Sequence, residues 1–438
     1  MPNKLNKRDF FILSGILLLG FIYMYFYNSH KIAAVVAVAG DSHAYSSLAV
    51  NILKGNGFSL EEFPPFTPSC FRTPAYPLFL ALTYKMFGVN NYEAVRLAQV
   101  FLMLASAAMI FIIAHLVFQN KMLAYLSLII SSFYPYPYST IPIYTSIGTE
   151  TLTFFLITAA TLCIILLYKY SRAYLYFCAG LFFALAMLTR PSNLFFPLVI
   201  AAYMVFRRPH KANYRRILWF LVVIFLFVSP WSVRNYLRCK KAVILSVPLS
   251  GLFTFGGSIT HNPEFLPYYD SDFGTCGVYI EPQDLALAKK HLRGLAESLG
   301  GDTETIYAHD NELRKIGFKI IKRDYLCFLK GWGYRILGHW HFGDLANIIN
   351  GITKKVTLGA IARIIIKAGV AVIVMVGFFS NLKNVLCPLL FLFPVYNTLI
   401  YTVLIPCLKY GYPSYGLIFI LFSAGICRLY DAARSSIR

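Results

Sequence analysis

Two carboxylates border long apolar stretches of the chain, and both could take part in acid/base chemistry. Asp41 lies in AVAGDSHAYSSLAVNILKGNGFS, after the first hydrophobic segment, and Glu150 lies in SIGTETLTFFL, at the start of a later one. A carboxylate at an apolar boundary is partly desolvated, and this can tune its proton affinity. Each also has a structural explanation, because Asp41 can cap a helix and Glu150 can complement a helix dipole. His43 either belongs to the same site or is an interfacial histidine.

Three arginines also lie beside apolar segments. Arg72 lies in CFRTPAYPLF, Arg190 in LTRPSN and Arg234 in SPWSVRNYL. A guanidinium binds phosphate oxygens through a planar fork of N–H donors and keeps its charge when partly buried. These arginines therefore indicate a lipid phosphate, although each could instead reach ordinary lipid head groups. Arg363 and Lys367 are four residues apart, share one helix face and could do the same.

The elements that must hold these side chains are membrane helices. The chain has 438 residues, of which 58% are hydrophobic and 13% charged, and its mean hydropathy is +0.61. Soluble proteins carry about 25% charged residues. The sequence predicts an all-α integral membrane protein with about ten transmembrane helices. The predicted spans are 10–27, 95–118, 122–139, 148–168, 173–189, 193–206, 217–233, 357–379, 385–406 and 413–430.

The distribution of charge predicts how these spans are oriented. The net charge is +21, and the basic residues gather in short segments between spans, most clearly RRPHKANYRR at 207–216. Cytoplasmic loops carry such an excess of Lys and Arg. The first apolar segment is therefore predicted to be an uncleaved signal anchor, with a cleaved signal peptide as the alternative. Segments 28–94 and 234–356 are then predicted to lie outside. Because the basic residues are explained by cytoplasmic loops, nucleic acid is not an expected partner.

Both long outer segments are predicted to contain structure. An apolar stripe in the first of them predicts an amphipathic helix that ends at Gly55 and Gly57. The stripe consists of Tyr45, Leu48, Ala49 and Ile52. Residues 76–88 are too few to span a membrane and predict a second, interfacial helix. Helical, charged sequence at about 284–330 predicts a small extramembrane subdomain.

These features divide the chain into three predicted parts. Residues 1–233 form an N-terminal transmembrane catalytic module that includes the first outer loop. Residues 234–356 form the extracytoplasmic subdomain, and residues 357–438 form the C-terminal transmembrane helices. Twelve of the 19 acidic residues lie in 234–356, and none lies in the middle of a predicted span. Ion-coupled transporters need ionisable groups there, so this distribution disfavours transport.

Cysteine and histidine patterns give weaker indications. A disulfide is allowed among the cysteines of the outer segments, but the spacing does not fix a pairing. These cysteines are Cys70, Cys239, Cys276 and Cys327. His339 and His341 lack a third ligand at a recognised spacing, so no metal-binding residue is assigned. The glycine-rich stretch 251–258 lacks the lysine of a nucleotide-binding P-loop.

An ordered series of segments resembles the polytopic GT-C glycosyltransferases. The resemblance is to bacterial relatives of protein O-mannosyltransferases and of the aminoarabinose transferases that modify lipid A. The segments are GDSHAYSSLAVNILKGNGFS, FRTPAYPLFLALTYKMFGVNNYEAVRLAQ, SIGTETLTFFL, LTRPSN, PWSVRNYLRCKKAVILS and LKYGYPSYGLIF. Together they extend over most of the chain. The resemblance implies a GT-C arrangement of transmembrane helices.

The resemblance also implies an activity. Such enzymes transfer a sugar from a polyprenyl-phosphate carrier to an acceptor hydroxyl of a glycan, lipid or protein. The site faces outward, here from a bacterial inner membrane. Asp41 matches the acid that acts as general base with inversion or binds the acceptor, and Glu150 is aligned with a second acid that assists. A divalent metal ion is an optional cofactor, and the donor is the polyprenyl-phosphate sugar.

The remaining candidate residues would bind substrate. Arg72 is the first choice for the phosphate, with Arg190 and Arg234 behind it, and His43, Tyr45 and Tyr76 complete the list. Some relatives carry paired acids where this chain has Asp-Ser-His, so His43 either replaces a carboxylate or has no role. Two alternatives stay open: an outer-face polymerase or ligase of lipid-linked glycans, and a transporter or flippase.

Overall fold

A computed structural model describes most of the chain. The described residues are 6–26, 41–134, 137–138, 141–207, 214–240, 242–247, 252, 254–255, 258, 281–298, 303–340, 342, 345, 348–349, 357–403 and 410–437. Cys276 and His341 lie outside them, as does most of the segment RRPHKANYRR. Every statement below on what the fold contains or lacks refers to these residues.

The described part of the chain is helical apart from one pair of two-residue strands, so the predicted all-α class is confirmed. The first nine helices are α1 Lys7–Phe26, α2 Asp41–Lys54, α3 Ala75–Phe87, α4 Tyr92–Phe118, α5 Lys121–Phe133, α6 Thr149–Tyr170, α7 Ala173–Thr189, α8 Phe196–Phe206 and α9 Tyr214–Cys239. The other six are α10 Pro282–Ser298, α11 Thr303–Arg323, α12 Tyr325–His339, α13 Leu358–Phe379, α14 Cys387–Thr402 and α15 Tyr415–Ile437. Strands β1 Pro137–Tyr138 and β2 Ile141–Pro142 pair antiparallel.

Each of the ten predicted spans coincides with an apolar helix. Among the described residues, six helices are long and apolar enough to cross a membrane, namely α1, α4, α6, α9, α13 and α15. The other four predicted spans coincide with shorter apolar helices, which are α5, α7, α8 and α14. The multi-pass membrane architecture is thus confirmed, while the number of helices that cross stays a prediction.

Several of the predicted spans differ in length from the helices that form, among them 122–139 and 217–233. The span 122–139 was expected to be continuous, but α5 ends at Phe133 and Tyr134 adopts an extended conformation with ψ 129°. Pro135 follows Tyr134, and a proline disfavours helical backbone in the residue before it. The span 217–233 was expected to end before Arg234, but α9 continues to Cys239 despite Pro230 within it.

The core of the bundle is built around α6. This helix packs against α4 and α7, and α7 packs in turn against α9. Gly180 of α7 permits a close approach, because a Cβ there would lie 2.9 Å from the backbone oxygen of Phe220 in α9. The C-terminal helices α13 and α15 form a second tightly packed pair. Small residues at such crossings let membrane helices approach closely.

The first predicted outer segment contains the two helices that the sequence predicts. In α2, Tyr45, Leu48 and Ala49 are buried, and the helix ends at Lys54 before Gly55, whose φ is +80°. Helix α3 ends before Gly88, whose φ is +103° and so suits glycine. The two helices pack against each other, and α3 also packs on α4 and α7. This packing fixes the start of α2 over the end of the bundle.

The second predicted outer segment has an apolar core of its own. Helices α10 and α11 pack together through buried aliphatic side chains. The cluster consists of Cys70, Val243, Val247, Phe255, Ala288, Leu292, Leu295, Ile306, Leu313, Ile316 and Ile320. Cys70 belongs to the first outer segment and forms a disulfide with Cys239 at the end of α9, over a Cα–Cα distance of 6.6 Å. This disulfide joins the two predicted outer segments covalently.

Candidate functional site

Asp41 and Arg72 form an ion pair at the end of the bundle where α2 begins. Nη2 of Arg72 donates a hydrogen bond to Oδ1 of Asp41 over 2.5 Å. The Asp41 side chain is 49% exposed and that of Arg72 is 21% exposed. Arg72 is held by aromatic rings, with its Cζ 4.5 Å from the ring centroid of Phe71 and 5.1 Å from that of Tyr45. The accessible carboxylate thus has a guanidinium as its immediate neighbour.

Glu150 and Arg190 form a second pair that is more deeply buried. Nη1 of Arg190 lies 3.3 Å from Oε1 of Glu150, and the two side chains are 11% and 8% exposed. Glu150 lies in the first turn of α6, and Arg190 follows the last residue of α7. Removing one member of such a pair leaves a buried charge uncompensated, which costs about 3–5 kcal/mol.

Two tyrosines connect the pairs into one cluster. The Tyr45 ring contacts Arg72 and lies close to Asp41, Glu150 and Arg190, and Tyr410 lies close to both arginines. The guanidinium of Arg190 lies over the Tyr410 ring, 4.5 Å from its centroid. The structure therefore brings Asp41, Arg72, Glu150 and Arg190 together, although 149 residues separate the first from the last in the sequence.

Burial and charge set the protonation of this cluster. Burial raises the pKa of Tyr45 and of Tyr76, so both phenols keep their protons. For Arg72, burial opposes the charged form, but its surroundings, including the Asp41 carboxylate, outweigh burial and raise the pKa of the guanidinium. Arg72 thus remains a cation at a partly desolvated position, where electrostatic interactions are stronger than in water.

Tyr76 packs against Tyr45 and is hydrogen-bonded to the start of α6. Its ring meets that of Tyr45 edge-on at a centroid distance of 5.1 Å. Its hydroxyl accepts a hydrogen bond from the backbone N–H of Gly148 over 2.8 Å and donates to Oε1 of Gln99 over 3.0 Å. Because Gly148 caps α6, this network fixes the helix turn that carries Glu150. Tyr76 is fully buried, so its contacts are with the protein.

Two further hydrogen bonds fix the first outer segment on the bundle. The hydroxyl of Ser42 donates to the backbone oxygen of Ile147 over 2.8 Å, next to the start of α6. The hydroxyl of Thr73 donates to the backbone oxygen of Thr189 over 2.9 Å, next to Arg190. Ser42 follows Asp41 and is bonded close to Glu150, while Thr73 follows Arg72 and is bonded next to Arg190. Each bond thus connects one ion pair to the other. The separation of the pairs is therefore set by backbone anchors.

The described polar contacts of His43 and Arg234 are with residues outside the two pairs. His43 contacts Glu62 over 3.1 Å at an exposed position. Arg234 donates to the backbone oxygen of Ser69 over 2.6 Å, and its guanidinium lies 4.8 Å from the ring centroid of Trp231. It thus connects α9 to the segment before Arg72, and these contacts resemble a structural anchor more than a phosphate site.

Sequence reasoning missed the aromatic wall around Arg190. Tyr401 and Tyr410 stack at a centroid distance of 4.4 Å, and Arg190 lies over both rings. The hydroxyls of Tyr401 and Ser192 lie 2.6 Å apart. Tyr410 belongs to the quoted segment LKYGYPSYGLIF, but Tyr401 lies in an ordinary apolar span. The motif could have indicated the first ring, whereas only packing shows the second.

The cluster does not include a group of metal ligands. Across the described residues, no three His, Cys, Asp or Glu side chains are close enough to hold a metal ion. His339 is buried beside the rings of Trp340 and Tyr401. His341 lies outside the described residues, so the two-histidine pattern cannot be followed further. The findings do not support a metal cofactor.

The guanidinium of Arg72 has a buried donor that Asp41 does not use. Its Nε is buried and has no hydrogen-bond partner within the described part of the chain. A buried donor without a partner is costly, and such atoms often point to a ligand. Nε and one Nη form the edge that arginine uses for bidentate binding of phosphate. Arg72 can therefore accept an anion on a donor that Asp41 does not occupy.

Comparisons with known proteins relate this arrangement to a family. Residues 71–233, which include Arg72, Glu150 and Arg190, match a family model described as dolichyl-phosphate-mannose-protein mannosyltransferase. No curated protein matches the chain.

Solved structures extend the likeness to nearly the whole chain. The archaeal oligosaccharyltransferase AglB from Archaeoglobus fulgidus, in complex with an inhibitory peptide and a dolichol-phosphate, superimposes with a TM-score of 0.53 at 12% identity, over 98% of this chain and 51% of AglB. The apo form of the oligosaccharyltransferase from the same organism gives 0.54 at 14% identity, over 99% of this chain and 52% of that one. ArnT from Cupriavidus metallidurans, bound to undecaprenyl phosphate, superimposes with a TM-score of 0.40 at 13% identity. The match covers 98% of this chain and 80% of ArnT.

The chain therefore spans about half the length of the archaeal oligosaccharyltransferase. Identities of 12–14% are too low to carry an activity across, so they bear on the fold. The family model matches residues 71–233, and the archaeal structures share the fold over nearly the whole chain. The predicted resemblance is therefore confirmed: this is a multi-pass membrane protein with the GT-C fold.

Proposed function

We propose that this protein transfers a sugar from a polyprenyl-phosphate donor to an acceptor hydroxyl. The observation that carries the proposal is the cluster of two carboxylate–arginine pairs around Tyr45 and Tyr410. It offers a half-exposed carboxylate to an acceptor and two guanidiniums to a phosphate. The description of the matching family, and the dolichol-phosphate in the AglB complex, support a lipid phosphate as the carrier.

The proposed step is a single displacement at the anomeric carbon. The acceptor oxygen attacks this carbon while its proton passes to a carboxylate oxygen of Asp41. The bond between the anomeric carbon and the phosphate oxygen breaks, and the electron pair stays on the phosphate. Attack opposite the leaving group inverts the configuration. A positioned general base contributes about 10²–10⁴-fold to such a step.

The arginines would stabilise the departing phosphate. Negative charge on the phosphate increases as the bond breaks, and cations aimed at developing charge lower the barrier. Arg72 is the more accessible of the two and has an unused donor, Nε. Arg190 is held by Glu150 and by two stacked tyrosine rings, so it supplies a fixed charge behind the first.

The site would face outward. It lies at the bundle end where α4 and α6 begin and where α7 and α14 end. Basic residues mark the opposite end, where the other turns lie: Lys121, Lys169, Arg172, Arg207, Arg216 and Lys383. An excess of Lys and Arg favours the cytoplasmic side. Since nucleotide sugars are cytoplasmic, an outward site requires a donor carried by a lipid.

The described helices give little support to a transporter. Within the six candidate spans, the acidic residues lie near helix ends: Asp9, Glu93, Glu150 and Asp431. Asp9 is bound by Lys121 over 2.6 Å at the end away from the site. Proton- or ion-coupled transport uses ionisable groups inside the membrane. An enzyme with its chemistry at one end fits this distribution better.

An assay with the purified protein tests the proposal. The protein in nanodiscs is given polyprenyl phosphates that carry labelled mannose or aminoarabinose, together with glycan, lipid and peptide acceptors. We expect transfer with at least one pair, and we expect Asp41→Asn to lower kcat about 10²-fold or more. Glu150→Gln should also lower transfer, because Arg190 loses its counter-ion.

Matched controls separate chemistry from folding. Glu312→Gln makes the same change of charge in an exposed pair with Lys315 and should keep wild-type rates. Gel filtration and thermal unfolding in detergent identify variants that fail to fold. Full transfer by a folded Asp41→Asn variant would show that Asp41 is not the base. Movement of intact donor across a bilayer, without transfer, would favour a flippase.

A further inference from the structure

The contact between Asp41 and Arg72 has the features of an exchangeable ion pair. It consists of one hydrogen bond, from Nη2 to Oδ1. Asp41 is half exposed, so water or a ligand can reach the carboxylate. On the same guanidinium, Nε has no partner among the described residues. Arg72 is thus held by one hydrogen bond from Nη2, while Nε, on the same edge of the guanidinium, is a buried donor without a partner in the described part of the chain.

Arg190 provides the contrast. Its side chain and that of Glu150 are 11% and 8% exposed, and the Tyr401 and Tyr410 rings cover the guanidinium. Exchanging this partner would bury an uncompensated carboxylate, which is strongly unfavourable. Of the two pairs, the one between Asp41 and Arg72 is therefore the one that a phosphate can open.

The charges of the proposed reaction favour such an exchange. A polyprenyl-phosphate sugar is a phosphodiester with one negative charge, whereas the product polyprenyl phosphate is a monoester that approaches two. Asp41 changes in the opposite direction, because it becomes neutral when it accepts the proton of the acceptor. The attraction of Arg72 to the phosphate therefore rises in the step in which its attraction to Asp41 falls.

We propose that Arg72 changes partner during the reaction, from the carboxylate of Asp41 to the phosphate of the carrier lipid. This inference rests on the proposed function and adds a coupling to it. Before the donor binds, Asp41 neutralises Arg72 and thereby competes with the phosphate. As the bond to the sugar breaks, the exchange stabilises the leaving group. Binding energy is then gained in the transition state rather than in the ground state, which raises kcat.

This coupling has a measurable consequence without turnover. Asp41→Asn mimics the protonated carboxyl and removes the competitor for Arg72. The probe is undecaprenyl phosphate, and its Kd is measured by titration of the purified protein in nanodiscs. We expect Asp41→Asn to bind it roughly three- to tenfold more tightly than the wild type. The tightening should be smaller for its methyl ester, which carries one charge.

A double-variant cycle shows whether Arg72 mediates the effect. Arg72→Gln should weaken binding, and in that background Asp41→Asn should change the Kd little. If removal of the Asp41 charge acted only through general repulsion, the tightening would persist without Arg72, and the exchange would be wrong. Glu312→Gln, an equal change of charge on α11, should leave the Kd unaltered.

The results also separate the two proposals. If the wild type binds undecaprenyl phosphate and Asp41→Asn binds it equally or more weakly, the exchange is overturned. The proposed function still stands in that case. Failure of the wild type to bind undecaprenyl phosphate would overturn both. If Arg72→Gln does not fold, Arg72→Met replaces it in the cycle, because methionine is similarly long and unbranched but carries no charge.

Discussion

At the scale of single residues, the site separates two carboxylates by their surroundings. Asp41 is half exposed and meets one N–H group of Arg72, whereas Glu150 is buried beside Arg190. An accessible carboxylate can exchange protons with an acceptor, while a buried and paired one stabilises a fixed charge. In the proposed mechanism the same residue class therefore performs two tasks, with Asp41 as the base and Glu150 acting through Arg190.

Tyr410 is expected to be a positioning residue for Arg190. Its ring lies 4.5 Å from the Arg190 Cζ, a cation–π contact worth about 0.5–2 kcal/mol. We expect Tyr410→Ala to raise the KM for the lipid donor several-fold, while Tyr410→Phe, which keeps the ring, stays near wild type. The measurement is steady-state kinetics at varied donor concentration.

A neighbouring helix supplies the control for this substitution. Tyr430→Ala removes an exposed ring from α15, at the opposite end from the site, and should not change the kinetics. Equal losses in Tyr410→Ala and Tyr410→Phe would contradict a role for the ring face. They would point instead to the hydroxyl.

At the scale of elements, helix ends carry the site and helix crossings fix those ends. Residues at or next to the ends of α2, α6 and α7 supply three of the four charged groups: Asp41, Glu150 and Arg190. Helix α14 ends beside them, where Arg335 of α12 donates to the backbone oxygens of Thr402 and Val403. Those carbonyls belong to the last turn of α14 and lack partners within the helix. Helix α12 thus helps to position Tyr401, the residue before Thr402.

The crossing of α13 and α15 gives a prediction about stability. A Cβ at Gly377 would lie 2.0 Å from the backbone oxygen of Leu421, so an alanine there forces the helices apart. Overpacking of this kind typically costs about 1–3 kcal/mol. We expect Gly377→Ala to lower the Tm of the purified protein by several degrees, as measured by scanning fluorimetry.

Gly369, on the same helix, is the matched control. A Cβ at that position meets no atom within 4 Å, so Gly369→Ala should be neutral or slightly stabilising. If the two substitutions lowered the Tm equally, helix propensity or detergent contacts would explain the effect better than the crossing.

At the scale of the whole molecule, the two outer segments act as one support. The disulfide between Cys70 and Cys239 joins them two residues before Arg72, and Arg234 adds a hydrogen bond to Ser69. A disulfide requires an oxidising compartment, which agrees with the proposed outward orientation. The position of Arg72 is thus coupled to α9, although Cys70 and Cys239 are 169 positions apart in the sequence.

Disulfide mapping tests this organisation. Digestion without reduction, followed by mass spectrometry, should recover the Cys70 and Cys239 peptides linked. We expect Cys70→Ser to lower the Tm, because removal of a native disulfide costs about 2–5 kcal/mol, and to weaken undecaprenyl phosphate binding through Arg72. Cys178→Ser, at a free cysteine of α7, is the control. A Cys70 peptide linked to any cysteine other than Cys239 would contradict the structure.

The sequence by itself determined the class of the protein and the ends of many elements. Charge-poor stretches have few ways to satisfy their backbone except as helices, so each predicted span coincides with one. Gly55 and Gly88 end α2 and α3 as expected, because they favour positive φ. The ordered motifs indicated the GT-C fold, which the comparisons confirm.

Tertiary structure alone decided which charges meet. The family resemblance put Arg72 first for the phosphate, with Arg190 and Arg234 behind it. Each of the three borders an apolar segment, and local patterning does not encode which helix ends are neighbours. Packing of α2, α6 and α7 brings the first two arginines to Asp41 and Glu150 and leaves Arg234 on Ser69 and Trp231. It also places Tyr401 beside Arg190, a contact that depends on a crossing of helices over 200 residues apart.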